Sequence, residues 1–256
     1  MSNQALASNS QPMIDVENLR KAFGRRQVLR GVSFEVYSGE ALGIIGPSGC
    51  GKSTILKLLC GLLQADGGTI QTATDEIGLV FQGSALLNSL TVRQNLSLAL
   101  RRRHLPLKEE NARIMETLKL VGLSDFVDAY PSQLSGGMQK RTSFARAIVS
   151  NPKIILYDEP TTGLDPVMST IIEDYMNQLQ DQFHAASIVV THQYSTWRRT
   201  TDRLILMHRG KIVWSGKPDE AETSSNPYIQ QFAKATREGP MDPERTTVMD
   251  GTESEE

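Results

Sequence analysis

The sequence lacks the features that define several classes of protein. It has only 2 cysteines, Cys50 and Cys60, too few for a disulfide framework, as expected in a reducing compartment. No apolar run approaches the roughly 18 residues that a membrane-spanning helix needs, and residues 1–12 have neither the basic start nor the apolar middle of a signal peptide. The net charge of −2 leaves no basic excess, which argues against nucleic acid as the main partner. These absences predict a cytoplasmic globular protein.

The composition that remains is that of an ordinary soluble domain with polar ends. Hydrophobic residues make up 39% of the 256 positions and charged residues 22%, so the chain can bury a large core. Residues 1–12 are rich in Ser, Asn and Gln and predict a disordered leader, and the acidic residues 237–256 predict a disordered tail. Residues 13–236 are therefore expected to form the folded domain.

A complete phosphate-binding loop follows the apolar run 41–45. Its pattern is G-x-x-x-x-G-K-[ST], which gathers backbone N–H groups around one anion at a helix N-terminus. The lysine adds a fixed positive charge, and the following hydroxyl can bind a magnesium ion. The nine residues of this loop are Gly46, Pro47, Ser48, Gly49, Cys50, Gly51, Lys52, Ser53 and Thr54.

Two adjacent carboxylates end a second apolar run. Residues 153–158 read as a buried strand, and Asp158 and Glu159 stand at its tip. In a phosphate-loop fold the first such acid holds magnesium, and the second polarises or deprotonates a water aimed at the γ-phosphate.

The remaining pattern alternates between strands and helices. Strands are predicted at residues 14–19, 28–29 and 32–37, and helical spacing begins at the capping box of Thr91 and Gln94. Later segments alternate in the manner of a parallel sheet with helices on both faces. The sequence thus predicts an α/β fold with a β-rich opening and a helical insertion.

A third motif points to one family of phosphate-loop proteins. Leu134-Ser135-Gly136-Gly137 opens a helix where backbone N–H groups can hold a second phosphate, and one nucleotide cannot need both sites of one chain. Beside the phosphate loop and the Asp158–Glu159 strand, this motif resembles the ATP-binding cassette (ABC) family over about residues 14–215. The resemblance implies a P-loop NTPase (RecA-like) core with an antiparallel β subdomain and a helical signature subdomain at about 83–150. It also implies a head-to-tail homodimer that encloses two ATP molecules.

The resemblance also implies roles for single residues. Ser53, Gln82 and Asp158 would serve Mg²⁺, Glu159 would be the catalytic base, and His192 would hold the γ-phosphate. Signature residues Ser135, Gly136 and Gly137 would contact the nucleotide of the second copy, as would Asp165 across the dimer. Phe23 stands where the family often has a tyrosine stacked on adenine, and a phenyl ring still stacks. Gln193 replaces the acid that commonly follows the histidine, so fine control is expected to differ.

Three longer runs point to a subgroup. Residues 81–92, 130–138 and 158–166 closely resemble the Mla/Mce group of lipid-transport ATPases of bacteria and chloroplasts. This likeness implies phospholipid or related lipid cargo, a Mla-type permease as membrane partner and an MCE-domain lipid carrier. The chain would then lie at the cytoplasmic face of the inner (plasma) membrane, bound through the permease.

Two other functions stay open at this stage. One is an ATPase subunit of a polar-solute importer, for example for amino acids, which would co-purify with a soluble solute receptor rather than an MCE-type carrier. The other is a soluble, non-transport cassette ATPase, which would show full ATPase control without any membrane subunit.

Overall fold

The computed structural model describes residues 11–241 of the chain, whose strands form two sheets. The strands in this range are β1 (Ile14–Phe23), β2 (Arg26–Val36), β3 (Ala41–Ile45), β4 (Gly67–Thr72), β5 (Ile77–Val80), β6 (Ile154–Asp158), β7 (Ala186–Val190), β8 (Arg203–His208) and β9 (Lys211–Gly216). The α-helices are α1 (Lys52–Leu59), α2 (Val92–Leu100), α3 (Leu107–Leu120), α4 (Gly136–Ile148), α5 (Pro166–Phe183), α6 (Tyr194–Thr200) and α7 (Pro227–Lys234).

The larger sheet has six strands in the order β5-β6-β7-β3-β8-β9. All neighbours are parallel except β8 and β9, which form an antiparallel hairpin. Side chains of β6 alternate between two cores: Leu156 packs with α1 on one face, and Tyr157 packs with α4 and α5 on the other. The predicted parallel sheet with helices on both faces is confirmed, and its carboxyl edge is where ligands bind in such sheets.

The smaller sheet is antiparallel and has the order β2-β1-β4. The prediction of separate strands at 28–29 and 32–37 is wrong, because β2 runs through Gly31 without a break. Gly31 has φ of 87° and Asn18 of β1 has φ of 47°, and the pairing register shifts between Val16 and Arg20. A β-bulge therefore absorbs the glycine that the sequence suggested as a strand breaker.

The helical region that follows β5 begins as predicted. The N–H of Gln94 donates to the Thr91 hydroxyl at 3.3 Å, and the N–H of Thr91 donates to the Gln94 side chain at 2.9 Å, which completes the capping box. Helices α2, α3 and α4 pack on a cluster that also contains Val80 and Ile155 of the sheet. The region 83–150 therefore shares a core with the sheet.

The two ends of the described range refine the expected boundaries. Met241 is 8% exposed, and its backbone N–H and carbonyl bond the side chain of Gln231 at 2.7 Å and 3.0 Å. The expected disordered tail begins at residue 237, and the described part of it, residues 237–241, ends at Met241, which the buried side chain of Gln231 holds against α7. The expected leader over residues 1–10 and the tail over residues 242–256 lie outside the described residues.

Candidate active site

The phosphate loop connects β3 to α1 and depends on glycine at two positions. Gly46 has φ of 144°, and a β-carbon there would lie 2.3 Å from the carbonyl oxygen of Met207. Gly51 has φ of 111°, and a β-carbon there would lie 2.6 Å from the Leu29 side chain. A β-carbon at Gly46 would clash with backbone, and the φ of Gly51 is one that other residues rarely adopt, so both positions favour glycine.

The loop presents a positive site for an anion. The Lys52 ammonium donates to the carbonyls of Gly46 at 2.7 Å and Pro47 at 3.0 Å, which holds it across the loop. Gly51 is the N-cap of α1 and has no side chain to accept from the first turn of the helix. The N–H groups at this helix end, together with Lys52, therefore fit a phosphate group.

Ser53 and Asp158 form a pair of hard oxygen ligands. The Ser53 hydroxyl donates to Oδ1 of Asp158 at 2.9 Å, which brings the start of α1 to the end of β6. Burial raises the pKa of the Asp158 carboxyl, the bond from Ser53 opposes this rise, and the charge of Glu159 adds to it. The ionised carboxylate is thus poorly compensated by the protein alone, which fits Mg²⁺ held by few protein ligands, phosphate and water.

Glu159 and His192 form the second pair. Nδ1 of His192 lies 2.8 Å from Oε1 of Glu159, and the Thr162 hydroxyl donates to Oε2 at 3.0 Å. Glu159 adopts the uncommon φ of 50°, and its backbone N–H donates to the carbonyl of Val190 on β7. The Glu159 side chain is 10% exposed and that of His192 is 58% exposed. The pair thus places a shielded carboxylate behind a solvent-accessible imidazole.

The signature motif lies at the start of α4. Ser135 caps this helix by accepting the N–H of Met138 at 3.3 Å, and Ser135 and Gly136 are exposed. One turn later the Lys140 ammonium donates to the carbonyl of Thr162, so α4 is joined to the loop after Glu159. Burial lowers the pKa of Lys140. The exposed end of α4 is therefore anchored to the loop that follows Glu159.

The other predicted site residues lie apart from these two pairs. Phe23 ends β1 with 49% of its surface exposed, Gln82 is exposed after β5, and Asp165 accepts N–H groups of α5 as its N-cap. Within residues 11–241, none of these three hydrogen-bonds to the Ser53–Asp158 or Glu159–His192 pair. The structure therefore gathers four predicted residues directly and leaves Phe23, Gln82 and Asp165 on open surface around them.

Sequence reasoning missed Arg26. This residue pairs directly with Phe23 across the β1–β2 hairpin, and its guanidinium lies 3.6 Å from where a Gly49 β-carbon would stand. A positive charge therefore lies beside the phosphate loop, on the residue that pairs with Phe23. The only sequence signal was the position of Arg26 just after a turn, and the pairing register that gives it meaning is visible only in the folded hairpin.

The fold and these pairs define a P-loop nucleotide-binding domain with an antiparallel β sheet and a helical region. The chain belongs to the ABC transporter family, whose sequence model matches residues 29–162. The chain is thus an ABC transporter ATPase domain, and the resemblance and fold class expected from the sequence are confirmed.

Relatives with different names share the family. The chain is 41% identical over 269 aligned positions to the chloroplastic protein trigalactosyldiacylglycerol 3 of Arabidopsis thaliana, with 93% of this chain and 78% of the relative covered. It is 36% identical over 251 positions to the sulfate/thiosulfate import ATP-binding protein CysA of Thermosynechococcus vestitus, with 94% and 73% covered.

Solved structures agree with the fold. A dimeric ATP-binding cassette in a post-hydrolysis state, bound to ADP and Pi, matches with a TM-score of 0.75 and 31% identity, over 80% of this chain and 99% of that one. In the range 11–241, every helix is too short or too polar to pass through a membrane.

Proposed function

We propose that this chain is the ATP-hydrolysing subunit of a lipid transporter, in which two copies close head to tail around two ATP molecules. One observation carries the enzymatic part: the Ser53–Asp158 and Glu159–His192 pairs both lie at the carboxyl ends of β6 and β7, beside the phosphate loop. A phosphate ligand, hard oxygen ligands and a shielded carboxylate are the groups that phosphoanhydride hydrolysis requires.

The residues would divide the work as follows. Lys52 and the loop N–H groups bind the phosphates, and Ser53, Gln82 and Asp158 hold Mg²⁺, which neutralises charge on the phosphate oxygens when bound. Glu159 accepts a proton from the attacking water. His192 donates a hydrogen bond to the γ-phosphate, and Phe23 stacks on the adenine.

The Glu159–His192 contact suggests how the base is held before ATP arrives. An ionised carboxylate can only accept, so the 2.8 Å contact requires a proton on Nδ1 of His192. While this bond persists, Oε1 of Glu159 is engaged and Oε2 accepts from Thr162. A histidine that turns to the γ-phosphate frees Oε1 for water, so phosphate binding and activation of the base would be one event.

The proposed dimer is supported by a second helix N-terminus that can bind phosphate, at the start of α4. Ser135 and Gly136 are exposed at the start of α4, and within residues 11–241 the hydrogen bond of the Ser135 side chain is to its own helix. A second copy that docks its phosphate loop on this end would complete both sites, with Gly137 and Asp165 in the interface. The dimeric cassette bound to ADP and Pi, 31% identical to this chain, supports this arrangement.

Lipid cargo is the finer part of the proposal. The relative at 41% identity is named after a galactolipid, trigalactosyldiacylglycerol, and the runs 81–92, 130–138 and 158–166 resemble Mla/Mce ATPases. A Mla-type permease and an MCE-domain lipid carrier would be the partners, and the chain would lie on the cytoplasmic face of the inner membrane through the permease.

The test is purification of the native complex followed by identification of its proteins and bound small molecules. We expect a permease, an MCE-domain protein and phospholipid. Vesicles containing the complex should then transfer labelled phospholipid with the wild-type chain but not with Glu159→Gln, which serves as the matched control because it keeps the assembly and removes the base.

A polar-solute importer is the second candidate, because the sulfate/thiosulfate import protein is 36% identical. It predicts a soluble solute receptor in the complex and ATP hydrolysis stimulated by that receptor rather than by lipid. A chain that purifies without any membrane subunit, yet shows full ATPase control, would instead indicate a non-transport cassette.

A further inference from the structure

A buried carboxylate that the proposed reaction does not use lies behind the active site. Glu173 is in the middle of α5 and is 1% exposed. Nε of Arg199 lies 2.9 Å from Oε2, and the Thr196 hydroxyl lies 2.8 Å from Oε1. A buried charge is tolerated only when it is paired and hydrogen-bonded, and both conditions are met here.

Hydroxyl groups extend this ion pair toward the active site. The hydroxyls of Thr196 and Thr161 lie 2.8 Å apart, and both residues are 0% exposed. The Thr161 hydroxyl also lies 2.8 Å from the side-chain oxygen of Gln193. Each hydroxyl has one proton, so Thr196 donates to the charged carboxylate of Glu173, the strongest acceptor, and Thr161 donates to Thr196 or Gln193.

The network ends on the two loops that carry Glu159 and His192. Thr161 stands two residues after Glu159, and Gln193 follows His192 directly and is the N-cap of α6. The hydrogen-bond network that runs from Arg199 through Glu173 and Thr196 to Thr161 therefore connects α5 and α6 to the carboxyl ends of β6 and β7. These are the segments whose relative position sets the 2.8 Å contact of Glu159 with His192.

An amide at residue 193 is compatible with the buried charge of Glu173. The Gln193 side-chain oxygen lies 3.3 Å from the Thr196 hydroxyl, which already donates to Glu173. A carboxylate at 193 would place a second negative charge one hydroxyl away from Glu173, and like charges that close disfavour each other. The amide accepts the same hydrogen bond without that repulsion.

We propose that Glu173 is a positioning residue for ATP hydrolysis. It acts through Thr196, Thr161 and Gln193 to hold Glu159 and His192 in the relative position that the reaction requires. Its side chain bonds Arg199 and Thr196, neither of which is among the residues proposed to bind nucleotide or metal. The proposal rests on the proposed roles of Glu159 and His192. Because it acts on the geometry of the base, its loss should lower kcat while ATP binding, which depends on the phosphate loop, stays near normal.

The test compares two buried threonines of the same helix. Thr196→Val removes the hydroxyl that bridges Glu173 and Thr161, whereas Thr200→Val removes a hydroxyl that donates only to the backbone carbonyl of Thr196 at 2.7 Å. For Thr196→Val we expect kcat to fall roughly 10- to 100-fold, the effect of a misplacement of about 1 Å, and ATP affinity to stay within about twofold. For Thr200→Val we expect kcat within about twofold of wild type, and Thr196→Ser should restore most of the rate.

Further arms keep the result interpretable. Equal kcat for Thr196→Val and Thr200→Val would overturn the proposal, as would a loss in Thr196→Val that Thr196→Ser fails to rescue. Should Thr196→Val fail to fold, Glu173→Gln takes its place, because it keeps an acceptor for Thr196 and removes the charge. A kcat for Glu173→Gln equal to that of wild type would also overturn it. Glu159→Gln separates the two claims: normal hydrolysis by that variant refutes the proposed function, whereas an impaired Glu159→Gln beside a normal Thr196→Val refutes only the positioning role.

Discussion

Nδ1 of His192 lies 2.8 Å from Oε1 of Glu159, and this contact joins the ends of the neighbouring parallel strands β6 and β7. Neither residue is at the phosphate loop in sequence, yet the parallel order of β6, β7 and β3 brings all three strand ends to one edge of the sheet.

Replacement of the base should separate binding from turnover. Glu159→Gln keeps the size of the side chain and an acceptor for His192 but cannot take a proton from water, so we expect turnover to fall by roughly 10² to 10⁴ with ATP still bound. Steady-state ATPase assays and nucleotide titration measure the two quantities. The exposed acid Glu76 provides the control, since Glu76→Gln should hydrolyse ATP at the wild-type rate. Near-normal turnover by Glu159→Gln would contradict its role.

Asp158, the proposed magnesium ligand, should lower the stability of the nucleotide-free protein. Because burial raises the pKa of Asp158 above that of the unfolded chain, its ionised form is penalised at neutral pH, and Asp158→Asn should raise the thermal midpoint without nucleotide. Mg²⁺ affinity in the presence of ATP should fall by at least about 10-fold, the lower limit for residues that merely support a metal site.

The sign of the pH dependence provides the check on Asp158. As the pH falls through the raised pKa of the folded state toward the ordinary pKa of aspartate, the folded carboxyl binds a proton first and the penalty shrinks. The midpoint advantage of Asp158→Asn should therefore shrink between pH 7 and about pH 4. An advantage that grows over this range would show that burial of the charge is not its cause.

Arg26 should strengthen nucleotide binding through charge. Its guanidinium is beside Gly49 and pairs across the hairpin with Phe23. We expect Arg26→Ala to weaken ATP binding roughly 5- to 10-fold at low salt, about 1 to 1.4 kcal/mol, and the difference should shrink at high salt because the site is exposed. Arg25→Ala, in the same turn, is the matched control and should bind ATP normally. Equal ATP affinities of the two variants would show that Arg26 does not contribute to nucleotide binding.

Both thiols should resist alkylation in the folded protein. A cysteine at a helix N-terminus beside a lysine can ionise early, but burial raises the pKa of Cys50 despite Lys52, and burial raises the pKa of Cys60 to about 11. Iodoacetamide at pH 8 should therefore label neither residue within the time that labels both in urea, as mass spectrometry of peptides would show. Labelling of native Cys50 at the unfolded rate would refute this.

Much of the fold and site was predictable because the relevant signals are local. The glycine spacing of the phosphate loop, the apolar strand before Asp158 and the capping box at Thr91 each specify their own conformation within a few residues. The alternation of strands and helices predicts a parallel sheet, whereas the joint role of Ser53 and Asp158 was implied only by the resemblance to the ABC family; in the structure the two side chains are 2.9 Å apart.

The features that the sequence did not predict depend on strand register and on contacts between distant segments. Gly31 resembles a strand breaker until it is seen as the unpaired residue between the pairs Leu19–Val32 and Arg20–Arg30, and Arg26 gains its role only from pairing with Phe23. Glu173 lies in a helix where a lone acid usually faces water, and only the packing of α6 shows that Arg199 pairs with its charge and that Thr196 donates a hydrogen bond to it. Single-sequence patterns do not encode such contacts between distant segments.

The central claim is that two copies of this chain close around ATP. Light scattering of purified Glu159→Gln with saturating MgATP tests it most directly, with the nucleotide-free sample as the reference. The account predicts twice the monomer mass with MgATP and the monomer mass without it. A strictly monomeric mass under saturating MgATP, even with the permease present, would contradict it.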